Sequence, residues 1–152
     1  MLTEPHAHRL RSGRCSTVGG IYLLTAVVQD RQPHLASLTA TRLLVSELRV
    51  ADAGGWATSL AWVVMPDHLH WLVQLEAHSL CALMRQVKGR SARRLNDHLG
   101  LTGPFWQAGY HDRALRREED LRSVARYVVA NPVRAGLVER VGDYPHWDAV
   151  WL

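Results

Sequence analysis

The chain has 152 residues, 47% of them hydrophobic, and a formal net charge of +4 with histidine neutral. This length suits one domain whose core needs no disulfides or metals, and no apolar run reaches the roughly 20 residues required to cross a bilayer. The polar start MLTEPHAHRLRSGR lacks the apolar segment of a signal peptide, so we expect a cytoplasmic protein without membrane contact. Its cations are 17 arginines and one lysine. This preference for arginine suits phosphate recognition, but a GC-rich genome produces the same preference.

The first half of the chain is predicted to fold as three strands and one helix. The run IYLLTAVV is apolar and β-branched, as in a buried strand, and apolar residues at helical spacing follow it as far as AGG. Pro66-Asp67 then joins two more apolar runs as a hairpin. In chain order these elements are a basic leader at 1–19, a strand at 21–28, a helix at 35–49, and strands at 56–65 and 68–75.

The second half is predicted to add two helices and a weak strand. Ser79 is a suitable N-cap for the first helix, Gly89 interrupts it, and Ser91 is a second N-cap candidate. Three acids at 118–120 favour the start of the second helix, where the helix dipole stabilises negative charge, and Pro132 ends it. The predicted bounds are about 80–99 for the first helix, 110–115 for the strand and 118–131 for the second helix.

The order of these elements is β-α-β-β-α-β followed by one helix, the ferredoxin-like pattern of an α+β fold with an appended C-terminal helix. We expect one domain over 1–152, with a core at 20–131 and a C-terminal tail at 132–152. In this topology the first and third strands are neighbours at the centre of an antiparallel sheet. Two crossover helices cover one face, and the other face is left for an active site or for the last helix.

Two histidines stand out in the third strand, within VVMPDHLHWLVQL. Strand alternation places His68 and His70 on one face, and Leu69, Trp71 and Val73 on the apolar face that belongs against the helices. Two imidazoles at i and i+2 can reach one cation, but they leave a metal site one ligand short. In a bare His-x-His pattern, histidines that are hydrogen-bonded within the protein or face solvent are more common than histidines that bind a metal.

The last predicted helix offers a third ligand and a nucleophile. At 3.6 residues per turn, Tyr127 and Asn131 lie together at one edge of its apolar stripe. An amide oxygen is a ligand that Mg²⁺ or Mn²⁺ accepts, and a neighbouring phenol can act as a nucleophile. Equally, Tyr127 fits the edge of a core, and Asn131 fits the end of a helix before a proline.

Together, the histidine strand, the tyrosine helix and the arginine-rich surface resemble the HUH endonucleases with a single tyrosine, specifically the REP-associated tyrosine transposases. The resemblance is long and continuous. It runs through HRLRSGR, GGIYLLTAVVQDRQP, VVMPDHLHWLVQL, MRQVKGRSARRLN, GPFWQAGYHDRALRREEDLRSVARYVVANPVRAGLVER and DYPHWDAVWL. It implies a transposase with the HUH endonuclease fold.

By this resemblance His68 and His70 are metal ligands and Tyr127 is the catalytic nucleophile, with Tyr110 as a lesser candidate for that role. Asn131 stands where related insertion-sequence transposases often have a glutamine ligand, and its side chain is one methylene shorter. The implied reaction is cleavage of single-stranded DNA, which leaves a 5′-phosphotyrosine link and a free 3′-hydroxyl. Another strand can reverse this step, and the implied cofactor is Mg²⁺ or Mn²⁺.

The implied partner is single-stranded DNA beside a hairpin, as in repetitive extragenic palindromes. DNA contacts are predicted from cations at 85–94, where no acid intervenes, from the leader, and from a loop tryptophan that can stack on bases. These residues are Arg85, Lys88, Arg90, Arg93, Arg94, Arg14 and Trp106. The alternative is a domesticated, non-cleaving nucleic-acid-binding protein of the same fold. We favour a monomer over a homodimer.

Overall fold

The computed structural model describes residues 16–116 and 120–151. In these residues it has five strands and four α-helices, with short 3-10 turns at Gln29–Arg31 and Val141–Asp143. In chain order the elements are β1 (Ile21–Val27), α1 (Leu38–Ala53), β2 (Ala57–Met65), β3 (His68–Leu75), α2 (Leu80–Leu99), β4 (His111–Ala114), α3 (Leu121–Val129), α4 (Asn131–Arg134) and β5 (Trp147–Ala149). No helix in this described part is long and apolar enough to cross a membrane.

The strands form one antiparallel sheet in the order β4-β1-β3-β2-β5. β2 and β3 form the hairpin predicted around Pro66-Asp67. β1 lies beside β3 at the centre of the sheet, and its Thr25 is directly opposite His70. The predicted α+β fold, with its ferredoxin-like order of strands and helices, is therefore confirmed.

The face of the sheet beneath α1 and α2 contains the larger part of the core. Trp71, Val73 and Leu75 of β3 are fully buried there, as strand alternation predicts. The Trp71 indole Nε1 donates a hydrogen bond to Ser59 Oγ at 2.8 Å, which satisfies the one polar atom of the buried ring. The two long helices therefore cover the face opposite to the histidines.

The face that bears the histidines is partly covered by α3. Leu72 of β3 is fully buried there against Ala125 and Val129 of that helix. Asp120 begins the helix, because its carboxylate accepts a hydrogen bond from the backbone N–H of Arg122 at 2.9 Å. The last long helix of the predicted order thus shares this face with the histidine pair.

Helix α2 is continuous, so the predicted interruption at Gly89 is wrong. Ser79 caps its start as expected, since its hydroxyl accepts a hydrogen bond from Ala82 N at 3.1 Å. Ser91 is not a second cap: it is fully buried, and its hydroxyl donates back to the carbonyl of Lys88. Glycine inside a helix costs about 1 kcal/mol relative to alanine, and packing of the apolar helix face offsets that cost.

The segment expected to be a C-terminal tail contains regular structure. Pro132 follows the end of α3, but it also occupies the first turn of α4, where a missing backbone N–H is tolerated. Further on, the three residues of β5 pair with β2 at the edge of the sheet, with Trp147 opposite Val63. A strand of three residues is too short for its alternation to be visible in a sequence.

Candidate active site

His68 and His70 lie on one face of β3, as alternation predicts. Their rings are 4.7 Å apart between centroids and nearly perpendicular, with 82° between the ring planes. Both residues are partly buried. The two imidazoles are therefore close enough to bind one ligand between them.

Each imidazole is held by a contact at Nδ1. Asp67 Oδ1 lies 2.7 Å from Nδ1 of His68, and Thr25 Oγ1 lies 2.8 Å from Nδ1 of His70. The antiparallel register explains the second contact, because it places Thr25 opposite His70. In metal sites, a ligating histidine usually donates from its other ring nitrogen to a carboxylate, a carbonyl or water. With the ring proton at Nδ1, the lone pair of each Nε2 atom is available to bind a cation.

The electrostatics of this face favour a neutral His70. Burial first, then the charge of His68 and that of Arg134, lower the pKa of His70 to about 4. At pH 7 the imidazole is therefore neutral and has a lone pair for a metal ion. Burial raises the pKa of Asp67, but the hydrogen bonds and charges of His68 and Arg31 outweigh burial, so the carboxyl pKa is lowered overall.

Tyr127 is the exposed tyrosine on this side of the sheet. It lies in α3 with 62% of its surface exposed, and the guanidinium carbon of Arg134 is 3.6 Å from the centroid of its ring. The positive charge of Arg134 is also one of the causes that lower the pKa of His70. Sequence reasoning missed Arg134. Its only signal is a spacing of seven residues from Tyr127 across Pro132.

Asn131 begins α4 directly after the last turn of α3. Its Nδ2 donates a hydrogen bond to Val128 O at 2.8 Å. Pro132, four residues after that carbonyl, has no N–H with which to bond it. The contact explains Asn131 as a helix-end residue, and it also leaves the amide Oδ1 as an acceptor for a cation. Both predicted roles of Asn131 are compatible with this geometry.

Within residues 16–116 and 120–151, no group of three or more histidine, cysteine, aspartate or glutamate side chains could hold a metal ion. A divalent cation at His68 and His70 would need the amide oxygen of Asn131, or oxygens of substrate and water. The anchored Nδ1 atoms and the neutral His70 fit such a mixed site. The two imidazoles are therefore suited to a cation that takes its further donors from other groups.

The other three tyrosines have buried or bonded hydroxyl groups. Tyr110 is 3% exposed in the core beneath α1 and α2, and its hydroxyl is 3.5 Å from Sγ of Cys81. Tyr22 is equally buried in that core. Tyr144 donates to Val64 O at 2.6 Å, and burial raises its pKa. Burial on the opposite face of the sheet argues against Tyr110 as the nucleophile.

Three of the cations predicted to bind DNA from α2 have partners inside the protein. Arg90 Nε and Arg94 Nη1 each lie 2.7 Å from a different carboxylate oxygen of Glu47, which is only 1% exposed. Burial raises the pKa of Glu47, but the two arginines outweigh burial and lower it overall. Lys88 Nζ donates to two carbonyls of the loop before β4. These cations therefore stabilise the contacts of α2 with its neighbours.

The remaining predicted DNA contacts differ in accessibility. Arg85 and Arg93 are exposed and line a shallow groove of about 200 Å³ on the outer side of α2. Trp106 is 6% exposed, and its Nε1 donates to Ser91 Oγ at 3.0 Å, so the prediction that it stacks on bases is wrong. Arg14 lies outside the described residues. Helix α2 packs on the sheet face opposite to the histidines, so its cations are not part of the histidine face.

Comparison with known proteins matches this chain to transposases. The family model described as Transposase IS200 like matches residues 19–131. The REP-associated tyrosine transposase of Escherichia coli (strain K12) is 26% identical over 129 residues, which are 84% of this chain and 74% of that protein. A candidate REP-associated tyrosine transposase of Haemophilus influenzae is 26% identical over 141 residues, covering 86% of this chain and 80% of that protein.

Two solved structures are similar to this fold. A REP-associated tyrosine transposase bound to a REP hairpin has a TM-score of 0.72 at 26% identity, over 88% of this chain and 79% of that chain. A candidate transposase from Deinococcus radiodurans has a TM-score of 0.55 at 23% identity, over 79% and 95% respectively, and indicates the fold alone. The resemblance to REP-associated tyrosine transposases is thus confirmed. Since the family match runs from before β1 to Asn131, the chain belongs to the family of IS200-like transposases.

Proposed function

We propose that the protein is a metal-dependent endonuclease and strand transferase for single-stranded DNA at repetitive palindromic sequences, acting through a 5′-phosphotyrosine intermediate. One observation supports this above all: the guanidinium of Arg134 lies against the exposed ring of Tyr127, on the helix that packs on the sheet face bearing His68 and His70. That placement supports a shared site for an exposed phenol and a pair of oriented imidazoles. The REP hairpin held by the similar transposase supports palindromic DNA as the substrate class.

In the proposed reaction the Tyr127 oxygen attacks a backbone phosphorus of DNA and loses its proton. The bond from phosphorus to the 3′ oxygen breaks, so one strand leaves with a protonated 3′-hydroxyl and the 5′ phosphate stays on the tyrosine. Another 3′-hydroxyl can reverse the step and join strands, because the phosphodiester energy is retained. A phenol with an ordinary pKa near 10 is ionised in only about one molecule in a thousand at pH 7, so the site must stabilise negative charge.

His68, His70 and Asn131 are the proposed holders of Mg²⁺ or Mn²⁺, through the two Nε2 atoms and the amide oxygen. When bound, the metal supplies a Lewis acid that polarises a phosphate oxygen. Two imidazole donors make the site softer than an all-oxygen site, which favours Mn²⁺. Asp67 and Thr25 hold the imidazole rings in position.

The proposed DNA-backbone contacts on α2 come chiefly from Arg85 and Arg93, which are exposed. Neither forms a hydrogen bond or an ion pair with another residue of the described ranges. Arg90 and Arg94 can contact the DNA backbone only with the N–H groups that do not bond Glu47. We propose that the protein acts as a monomer in the cytoplasm, on a hairpin whose flanks are single-stranded.

The test is covalent capture of DNA. The protein is incubated with Mn²⁺ or Mg²⁺ and an oligonucleotide that forms a palindromic hairpin with unpaired flanks, and adducts are resolved by denaturing electrophoresis and mass spectrometry. We expect a 5′-phosphotyrosyl adduct with the wild type and with Tyr110→Phe, and none with Tyr127→Phe. Tyr110→Phe is the matched control, because it removes a hydroxyl group on the opposite side of the sheet.

Two outcomes would contradict this proposal. An adduct that persists in Tyr127→Phe and disappears in Tyr110→Phe would overturn the assignment of the nucleophile. Hairpin binding by folded wild-type protein without any adduct, across the palindromic repeats of its source genome, would favour the domesticated, non-cleaving protein.

A further inference from the structure

We propose that Arg134 is a second functional side chain at Tyr127: its guanidinium holds the tyrosine ring in place and binds the phosphate that the phenol attacks. The inference rests on the proposed function, because it assigns a role within the same reaction. It goes beyond the histidine, tyrosine and asparagine set, which leaves the attacked phosphate without an arginine partner.

The first support is the contact with the tyrosine. The guanidinium carbon is 3.6 Å from the centroid of the Tyr127 ring, a distance at which a cation is attracted to an aromatic face. Tyr127 is largely exposed, so core packing does not hold its ring. The stacked guanidinium therefore provides a restraint on the phenol that the fold does not otherwise supply.

The second support is the absence of an acidic partner in the described part of the chain. Arg134 is exposed, and no hydrogen bond or ion pair joins it to another side chain there. The contact identified for its guanidinium is the phenol ring of Tyr127, which is not a carboxylate. Arg90 and Arg94, by contrast, both bond Glu47. A guanidinium has five N–H donors in a planar fork that matches phosphate, so a DNA phosphate is its fitting partner.

The backbone explains how this arginine reaches back to the tyrosine. Residues seven apart in an unbroken helix are about 10.5 Å apart along the axis, so only a long side chain can close that distance. Here α3 ends at Val129 and α4 begins at Asn131, and Arg134 N donates to Ala130 O at 3.0 Å. The side chain then extends toward the N-terminus, the direction that helical side chains favour.

A purely structural stack is the alternative, and substitutions separate the two roles. Arg134→Met keeps the length of the side chain and an apolar contact with the ring, but it removes the charge. Arg134→Lys keeps a point charge but loses the planar fork. Arg126→Ala is the matched control, because Arg126 is an exposed arginine on the same helix as Tyr127.

The experiment measures single-turnover adduct formation with the hairpin oligonucleotide at saturating protein, together with equilibrium binding of the uncleaved hairpin. Arg134→Met should slow adduct formation by about 100-fold, the typical loss for one charge-stabilising donor, while hairpin affinity stays near the wild-type value. Arg134→Lys should recover part of the rate, and guanidinium ion should partly rescue Arg134→Ala. Arg126→Ala should behave as the wild type does.

The outcomes separate this inference from the function on which it rests. Adduct formation at the wild-type rate by Arg134→Met would overturn the inference and leave the proposed function intact. A fall in hairpin affinity that accounts for the whole loss of rate would also overturn it, because Arg134 would then be a general DNA contact. If the wild type forms no adduct with any hairpin, the proposed function fails and the inference fails with it. Thermal melts identify any variant that does not fold. If Arg134→Met does not fold, the rate of adduct formation by Arg134→Lys is compared with that of the wild type instead.

Discussion

Removing both arginines that bond Glu47 should destabilise the fold. The double substitution Arg90→Met/Arg94→Met leaves an almost fully buried carboxylate without a partner between α1 and α2. Methionine retains much of the apolar stem of arginine, so the change removes charge more than it removes packing. The variant therefore tests whether these two cations serve the fold.

The size of the effect follows from the burial of Glu47. Removing one side of a buried ion pair costs about 3–5 kcal/mol, because the remaining charge is uncompensated. For a domain of this size each kcal/mol lowers Tm by about 2–4 °C, so the expected fall is roughly 6–20 °C. Urea unfolding and calorimetry at pH 7 measure the loss. Arg93→Met, at an exposed arginine of the same helix, should stay within about 0.5 kcal/mol of the wild type.

The dependence on pH gives a second measurement. In the wild type the pKa of Glu47 is lowered, so the stabilisation is present above its ordinary pKa and is lost as pH falls through the lowered value. In the double variant only burial acts, which raises the pKa, so protonation relieves the penalty at a higher pH. The difference in unfolding free energy should therefore shrink as pH falls from 7 toward about 4. A difference below about 1 kcal/mol at pH 7, or one that does not shrink on acidification, would refute this reasoning.

Three further predictions concern the remaining contacts. Thr25→Val removes the bond to Nδ1 of His70 and should weaken Mn²⁺ binding about 10–100-fold in isothermal titration calorimetry. Arg85→Ala and Arg93→Ala should each reduce the slope of log affinity against log salt by about 1, measured by fluorescence anisotropy with the hairpin. Trp106→Phe loses a buried indole hydrogen bond and should cost about 1–3 kcal/mol of unfolding free energy without changing hairpin affinity. Unchanged Mn²⁺ affinity would contradict the role of Thr25 in holding His70, and an unchanged salt slope would contradict the DNA contacts of Arg85 and Arg93. Weaker hairpin binding by Trp106→Phe would contradict a purely structural role for Trp106.

The strand half of the site could be predicted because a strand has a period of two. The apolar residues of HLHWLVQL occupy alternate positions, so placing Trp71 and Val73 against the helices sends His68 and His70 to the other face. The order of elements then placed this strand at the centre of the sheet. Local pattern and simple topology were sufficient for this half.

The features that sequence reasoning missed share a physical cause, which is contact between residues far apart in the sequence. The cations at 85–94 have no acid among them, but Glu47 reaches Arg90 and Arg94 from 43 and 47 residues earlier. Trp106 lies in a loop, a position that favours exposure, yet its ring is buried in the core. At Gly89 local propensity favours a break, and packing of α2 overrides it. Periodicity contains no information on such partners.

The dipeptide Asn131-Pro132 determines how the helix half of the site is assembled. Proline removes the N–H that would bond Val128 O, and Asn131 Nδ2 bonds that carbonyl instead. The bond leaves the amide oxygen as an acceptor, so the helix-end role does not compete with the proposed ligand role at this residue. The same proline begins α4, from which Arg134 turns back over Tyr127. One break in the backbone therefore sets the amide, the guanidinium and the phenol relative to one another, and a helical periodicity that assumes no break cannot reveal their arrangement.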